Sequence, residues 1–177
     1  MIKKEEKYIL YSIIILFGMG SLVHFIYNIT GKLRLIGSIT PVNESIWEHT
    51  KLVLIPIIFL YLIYYIFNKN LNKNRWFTSM ITSLTTSIIT IPLLYYFYTG
   101  AFGIESSIIN ILILLISFAL GQLLGLFVYK NSSGISIYIS IIFTILIIIM
   151  YIVFTFYPPK LPIFYDFNTG NYGILKE

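Results

Sequence analysis

"PVNESIWEHTKLVLIPIIFLYLIYYIF", residues 41 to 67, joins two stretches of opposite character. Up to Lys51 it carries two carboxylates, an imidazole, an amide, hydroxyls and an ammonium; from Leu52 to Phe67 it carries no charge at all. Sixteen helical residues rise about 24 Å, short of the ~30 Å hydrocarbon core of a bilayer. If this segment spans a membrane, the polar turn before it must complete the crossing, so "PVNESIWEH" lies at or just below one membrane surface. Whether it does span is decided by the rest of the chain. Of 177 residues, 58% are hydrophobic and only 11% charged, with a mean hydropathy of +0.86. A soluble domain of this size has too little interior to hide that much apolar surface, and the expected solvent is lipid.

Five apolar stretches have spanning length, roughly 8–28, 44–67, 77–98, 106–129 and 135–157, followed by a tail over 158–177. The predicted fold is an all-α integral membrane bundle of one domain over residues 1–177. Its loops "NKNLNKNR" (68–75), "TGAFG" (99–103) and "KNSSG" (130–134) have turn chemistry. The basic start leads into an apolar run too long for a signal-peptide core and without a small-residue cleavage site, so the first span is expected to stay. The absence of cysteine excludes disulfides, thiolate catalysis and thiolate metal sites, leaving His, Asp and Glu as ligands. A net charge of +5, scattered at span ends, suits contact with the lipid bilayer rather than nucleic acid.

With the N-terminus inside, the inner segments hold Lys3, Lys4, Lys7, Lys69, Lys73, Arg75 and Lys130; the outer ones hold Lys32, Arg34, Lys51, Lys160 and Lys176. That bias predicts a multi-pass cell-membrane protein with a cytoplasmic N-terminus and an extracytoplasmic C-terminus. The same topology gathers chemistry at the outer end. His24 and Asn28 close span one, Asn43, Glu44, Glu48, His49 and Lys51 open span two, Glu105 opens span four, and Asp166 lies in the tail.

A helix start explains part of this. Thr40 before Pro41 reads as an N-cap with proline at N1, and Ser45 with Glu48 has capping-box spacing. Glu48 and Lys51 can pair, and Trp47 suits an interfacial aromatic belt. The rest calls for chemistry, because ionisable groups at membrane depth are costly unless paired or wet. His24, His49 and one of Glu44, Glu48 or Asp166 make a two-histidine, one-carboxylate set of the kind that binds catalytic zinc, with a remaining glutamate, Glu44 or Glu48, as general base. Asn28, Asn43 and Lys51 are the supporting polar groups. On an unbroken helix Glu44 and His49 diverge by about 140°, so convergence on one ion, zinc or another divalent metal, needs an irregular first turn.

"HFIYNITGKLRLIGSITPVNESIWEHTKL" followed by Pro56, together with "PIFYDFNTGNYG", resembles a family of small multi-pass membrane proteins of bacteria and archaea that is defined only as a domain of unknown function. The resemblance implies that His24, Asn43, Glu44, Glu48, His49 and Asp166 match its motif positions. It implies class and topology, and no activity.

Three functions fit these residues. One is a polar, zinc-type site at the outer surface that hydrolyses a lipid or envelope amide or ester. The second is a subunit for cation or proton-coupled transport using the same acids and imidazoles. The third is a structural or assembly partner in which Gly121 and Gly125, in GxxxG spacing, dock another membrane protein or a second copy.

Overall fold

A computed structural model describes residues 3–68 and 70–174. Lys69 and Lys176, which enter the charge count above, and Glu177 lie outside the described residues. Within them the regular structure is α-helical apart from one 3-10 turn and one two-residue strand pair. Helix α1 covers Lys4–Ile29, α2 Arg34–Gly37, α3 Ile46–His49, α4 Lys51–Phe67, α5 Lys73–Phe102, α6 Ser107–Asn131 and α7 Ile137–Phe156. Five units are long and apolar enough to cross a membrane: α1, the α3–α4 run from Ile46 to Phe67, α5, α6 and α7. They fit a multi-pass membrane protein, and each matches one expected span to within a few residues.

Most hydroxyls inside these helices are satisfied locally, as a lipid environment demands, whereas Ser83 Oγ, Ser140 Oγ and Gln122 Nε2 are buried without a hydrogen-bond partner among the described residues. Thr82, Thr85 and Thr90 donate to carbonyls four residues back in α5. The hydroxyls facing α6 do more: Ser79 Oγ donates to the carbonyl of Gly125 and Ser87 Oγ to that of Ser117, at 2.8 and 2.9 Å. A Cβ on Gly125 would come 2.9 Å from the Ser79 carbonyl, and one on Gly121 would overlap Ser87 Oγ. Gly121 and Gly125 are therefore buried in the chain's own α5–α6 contact, where absent side chains let two backbones approach. The small-residue face at Gly121 and Gly125 is covered by α5. The α5–α6 connection is tight because Gly103 adopts a left-handed conformation, φ 65°, that ends α5.

Toward the end of the bundle holding the chain's start, Trp76 is fully buried among Tyr8, Tyr61, Tyr64 and Tyr129. Its indole N–H donates to the carbonyl of Tyr61 at 3.0 Å. Toward the opposite end, Trp47 packs in tilted contacts against Tyr151 and Phe164, with ring centroids 4.8 Å away in both cases. Trp47 is thus a core residue rather than a member of an interfacial belt, because α7 and the tail close over it.

The tail turns back over this second end. A 3-10 turn at Pro162–Phe164 leads into β1 (Tyr165–Asp166), which pairs antiparallel with β2 (Asn171–Tyr172). Two bonds hold the hairpin down: Asn43 Nδ2 donates to the Gly173 carbonyl at 2.9 Å, and the Ile174 N–H donates to the Thr155 carbonyl at 3.3 Å.

Candidate metal centre

The local fold of residues 40–51 decides which polar groups meet. The first helical residue is Ile46, later than Thr40–Pro41 suggests; Thr40 donates its hydroxyl to the Ile36 carbonyl and is the end of the α2 turn. Ser45 is the N-cap and accepts from the Glu48 N–H at 3.4 Å. The expected reciprocal bond is not formed by Glu48, because the Asn43 side chain takes the Ser45 N–H at 2.9 Å. Glu48 is thereby free to turn inward.

Glu48 and Lys51 make one buried unit. The Lys51 ammonium donates to Glu48 Oε2 at 2.7 Å, Thr155 Oγ1 at 2.6 Å, the Gly37 carbonyl at 2.9 Å and the Thr40 carbonyl at 3.2 Å. Glu48 Oε2 also accepts the Val42 N–H at 2.9 Å. Neither side chain lines the main cavity at this end of the bundle. Two groups expected to serve as general base and supporting cation instead tie the 33–45 loop to α7, because a buried charge is tolerable only when paired; Lys51 and Glu48 Oε2 are, while Glu48 Oε1 is buried without a hydrogen-bond partner among the described residues.

Glu44 lies one residue before the cap, outside the helix, and this is the irregularity that convergence requires. Its Oε2 stands 3.3 Å from His49 Nε2 and its Oε1 3.8 Å from His24 Nε2. The imidazoles of His24 and His49 lie nearly parallel, 14° apart with centroids at 5.6 Å. One ligand atom from each of the three residues falls within 4.8 Å of the others. Two ligands at about 2.1 Å from a tetrahedral zinc stand roughly 3.4 Å apart, so the carboxylate-to-imidazole gaps need little adjustment to receive an ion.

The protonation pattern points the same way. His49 Nδ1 is 3.1 Å from the Ser45 carbonyl, which can only accept, so Nδ1 carries a hydrogen. In the neutral ring Nε2 then directs a lone pair at a carboxylate oxygen. That arrangement is repulsive unless the ring is doubly protonated or a cation sits between the two groups. A ligand imidazole held through its other nitrogen by a carbonyl is also the usual support of a metal-bound histidine. With the ring doubly protonated, the hydrogen bond from His49 holds the Glu44 carboxyl below its ordinary range, against the opposing effect of partial burial.

The triad opens onto a cavity of about 530 Å³. Its other polar groups include Tyr95, Glu105, Asn110 and Asp166. Asp166 lines the wall, but both its oxygens are engaged within its own turn: Oδ1 accepts from the Asn168 N–H at 3.0 Å and Oδ2 from Thr169 Oγ1 at 2.7 Å. It acts here as the turn-closing residue of "DFNTG" rather than as a third ligand. Asn43 anchors the tail, and Asn28, expected beside His24, is exposed and outside the lining.

Glu105 is the carboxylate the candidate set left out. Its Oε1 accepts from Tyr95 Oη at 3.0 Å, and Oε2 has no hydrogen-bond or ion-pair partner among the described residues. Its position at the head of span four already put it on this end. Tyr95 and Asn110 gave no such signal, since tyrosines and amides near span ends are ordinary.

No curated protein and no solved structure matches the chain significantly. The triad, the buried pair and the tail that closes over them all fall within residues 1–174, the part matched by the profile of a "Family of unknown function (DUF6512)", and the chain belongs to that family.

Proposed function

We propose that His24, Glu44 and His49 bind a divalent metal, zinc by ligand type, at the extracytoplasmic end of the membrane bundle, and that the site hydrolyses an amide or ester. The observation that carries this is the His49 imidazole, bonded through Nδ1 to the Ser45 carbonyl and facing Glu44 through Nε2 at 3.3 Å. Three protein ligands leave a fourth position for water, whose pKa such an ion lowers to about 7.

Glu105 is the general base in this reading, in place of Glu48. Among the cavity carboxylates Glu44 is occupied by the two histidines and Asp166 by its own turn, whereas Glu105 keeps a free oxygen. It takes a proton from water as the water oxygen bonds to the acyl carbon. It returns that proton to the leaving oxygen or nitrogen as the C–O or C–N bond breaks, and Tyr95 Oη steadies the carboxylate throughout.

Elemental analysis of the detergent-purified protein for zinc, manganese, iron and nickel tests the site, beside His24→Ala and His49→Ala. About one equivalent per chain, lost in both variants while folding is kept, is the expected result. A chain that folds without metal after zinc loading and dialysis removes the hydrolase and leaves Glu44 as an ion-pair partner of the histidines.

A further inference from the structure

The cavity also carries information about what would enter it. Its volume of about 530 Å³ suits an organic ligand rather than an ion and its waters. The lining mixes the triad and the Glu105 wall with apolar side chains, among them Phe25 of α1 and Ile111 and Leu114 of α6. Phe25 and Ile111 are 54% and 55% exposed. Both lie on spans whose neighbouring outward residues, Leu22 and Ile108, are also exposed. The wall they form is therefore continuous with the apolar outside of the bundle, between α1 and α6.

That opening has a floor. Four residues before His24, α1 and α6 close on each other: a Cβ on Gly20 would come 3.0 Å from the Phe118 ring and 2.9 Å from the Leu52 carbonyl. A smaller apolar recess of about 40 Å³ continues beneath His49, between Ile91, Ile113 and Leu114. His24 itself is five residues from the end of α1, about 7 Å along the axis, which is the depth of the interfacial layer where head and chain of an amphiphile join.

Charge narrows the ligand further. Among the described residues the lining contains three carboxylates, Glu44, Glu105 and Asp166, and no lysine or arginine. Phosphate and carboxylate headgroups are normally met by basic side chains, and here they would face acids.

Building on the metal-site reading, we infer that the substrate is a bilayer-resident acyl amide or ester with an uncharged or cationic head, entering sideways between α1 and α6. The chain lies along Phe25, Ile111 and Leu114, the scissile carbonyl reaches the triad, and the head meets Glu105 and Asn110. Hydrolysis adds water across the scissile bond and yields a fatty acid and the freed alcohol or amine head.

The test is photolabelling of the full chain in nanodiscs with two diazirine-bearing acyl probes, an uncharged monoacylglycerol and the anionic lysophosphatidic acid, with metal content measured on the same sample. The monoacylglycerol probe should label peptides containing Phe25, Ile111 or Leu114, and excess unlabelled monoacylglycerol should compete it away. Ile111→Trp, which places a larger ring in the opening, should reduce that labelling about tenfold with metal content and gel-filtration profile unchanged. Labelling spread evenly over outward-facing positions without competition, or equal competed labelling by the anionic probe, overturns the inference. Competed labelling in a metal-free protein would defeat the hydrolase and leave the sideways pocket standing; bound metal with no competed labelling would do the reverse.

Discussion

Three residues apart on the chain, Glu48 and Lys51 look like an exposed helical ion pair worth a few tenths of a kcal/mol. In the fold they are sealed, at 2% and 0% side-chain exposure, and the consequences of mutation change accordingly. Removing one partner of a buried pair strands a charge and costs about 3–5 kcal/mol. Lys51→Met should therefore lower the unfolding midpoint in detergent sharply, while Glu48→Gln/Lys51→Met, which removes both charges and keeps an acceptor for Val42, should recover much of the loss. Equal stability of Lys51→Met and wild type would show that the pair is hydrated. Glu44, one turn upstream, has the opposite character: it is half exposed and faces imidazoles, so its removal should touch metal content more than stability. Residue type alone ranked these two glutamates equally. Only their placement either side of the Ser45 cap separates a structural acid from a ligand.

Among the helices, α5 and α6 form the closest contact, because serine hydroxyls and glycine backbones replace bulk with hydrogen bonds. The cross-helix bonds from Ser79 and Ser87 survive only while Gly121 and Gly125 remain small. Gly121→Leu should destabilise the chain by about 1–3 kcal/mol or more through overpacking, with Gly121→Ala intermediate, as read from thermal unfolding in detergent. Fully stable Gly121→Leu would mean that α5 and α6 separate without cost. The GxxxG spacing was visible in the sequence as a close-packing face. Its partner was not, since any small or polar helix surface satisfies the same spacing, and Ser79, Ser83 and Ser87 of α5 became that surface only through the tight turn at Gly103.

On the scale of the whole molecule, an odd number of spans puts the two ends of the chain at opposite ends of the bundle, with the triad, the buried pair and the tail together at one of them. The absence of cysteine makes sidedness directly measurable. In cells, Asn168→Cys should react with an impermeant maleimide, and Asn70→Cys should react only after permeabilisation; the reverse pattern would invert the proposed orientation and place the site in the cytoplasm. Five spans, their order and the gathering of histidines and acids at one end follow from apolar run lengths, because bilayer thickness sets helix length whatever the neighbours are. The contacts inside that end do not follow from run lengths. Trp47 turned inward because α7 and the tail cover it, Asp166 closed its own turn, Glu48 was claimed by Lys51, and Glu105, in the turn before α6, bonded Tyr95 and lines the triad's cavity. These outcomes depend on which segments the fold packs together, and burying Glu48 is tolerable only with Lys51 beside it. Spacing along the chain limits the candidates, and packing selects among them.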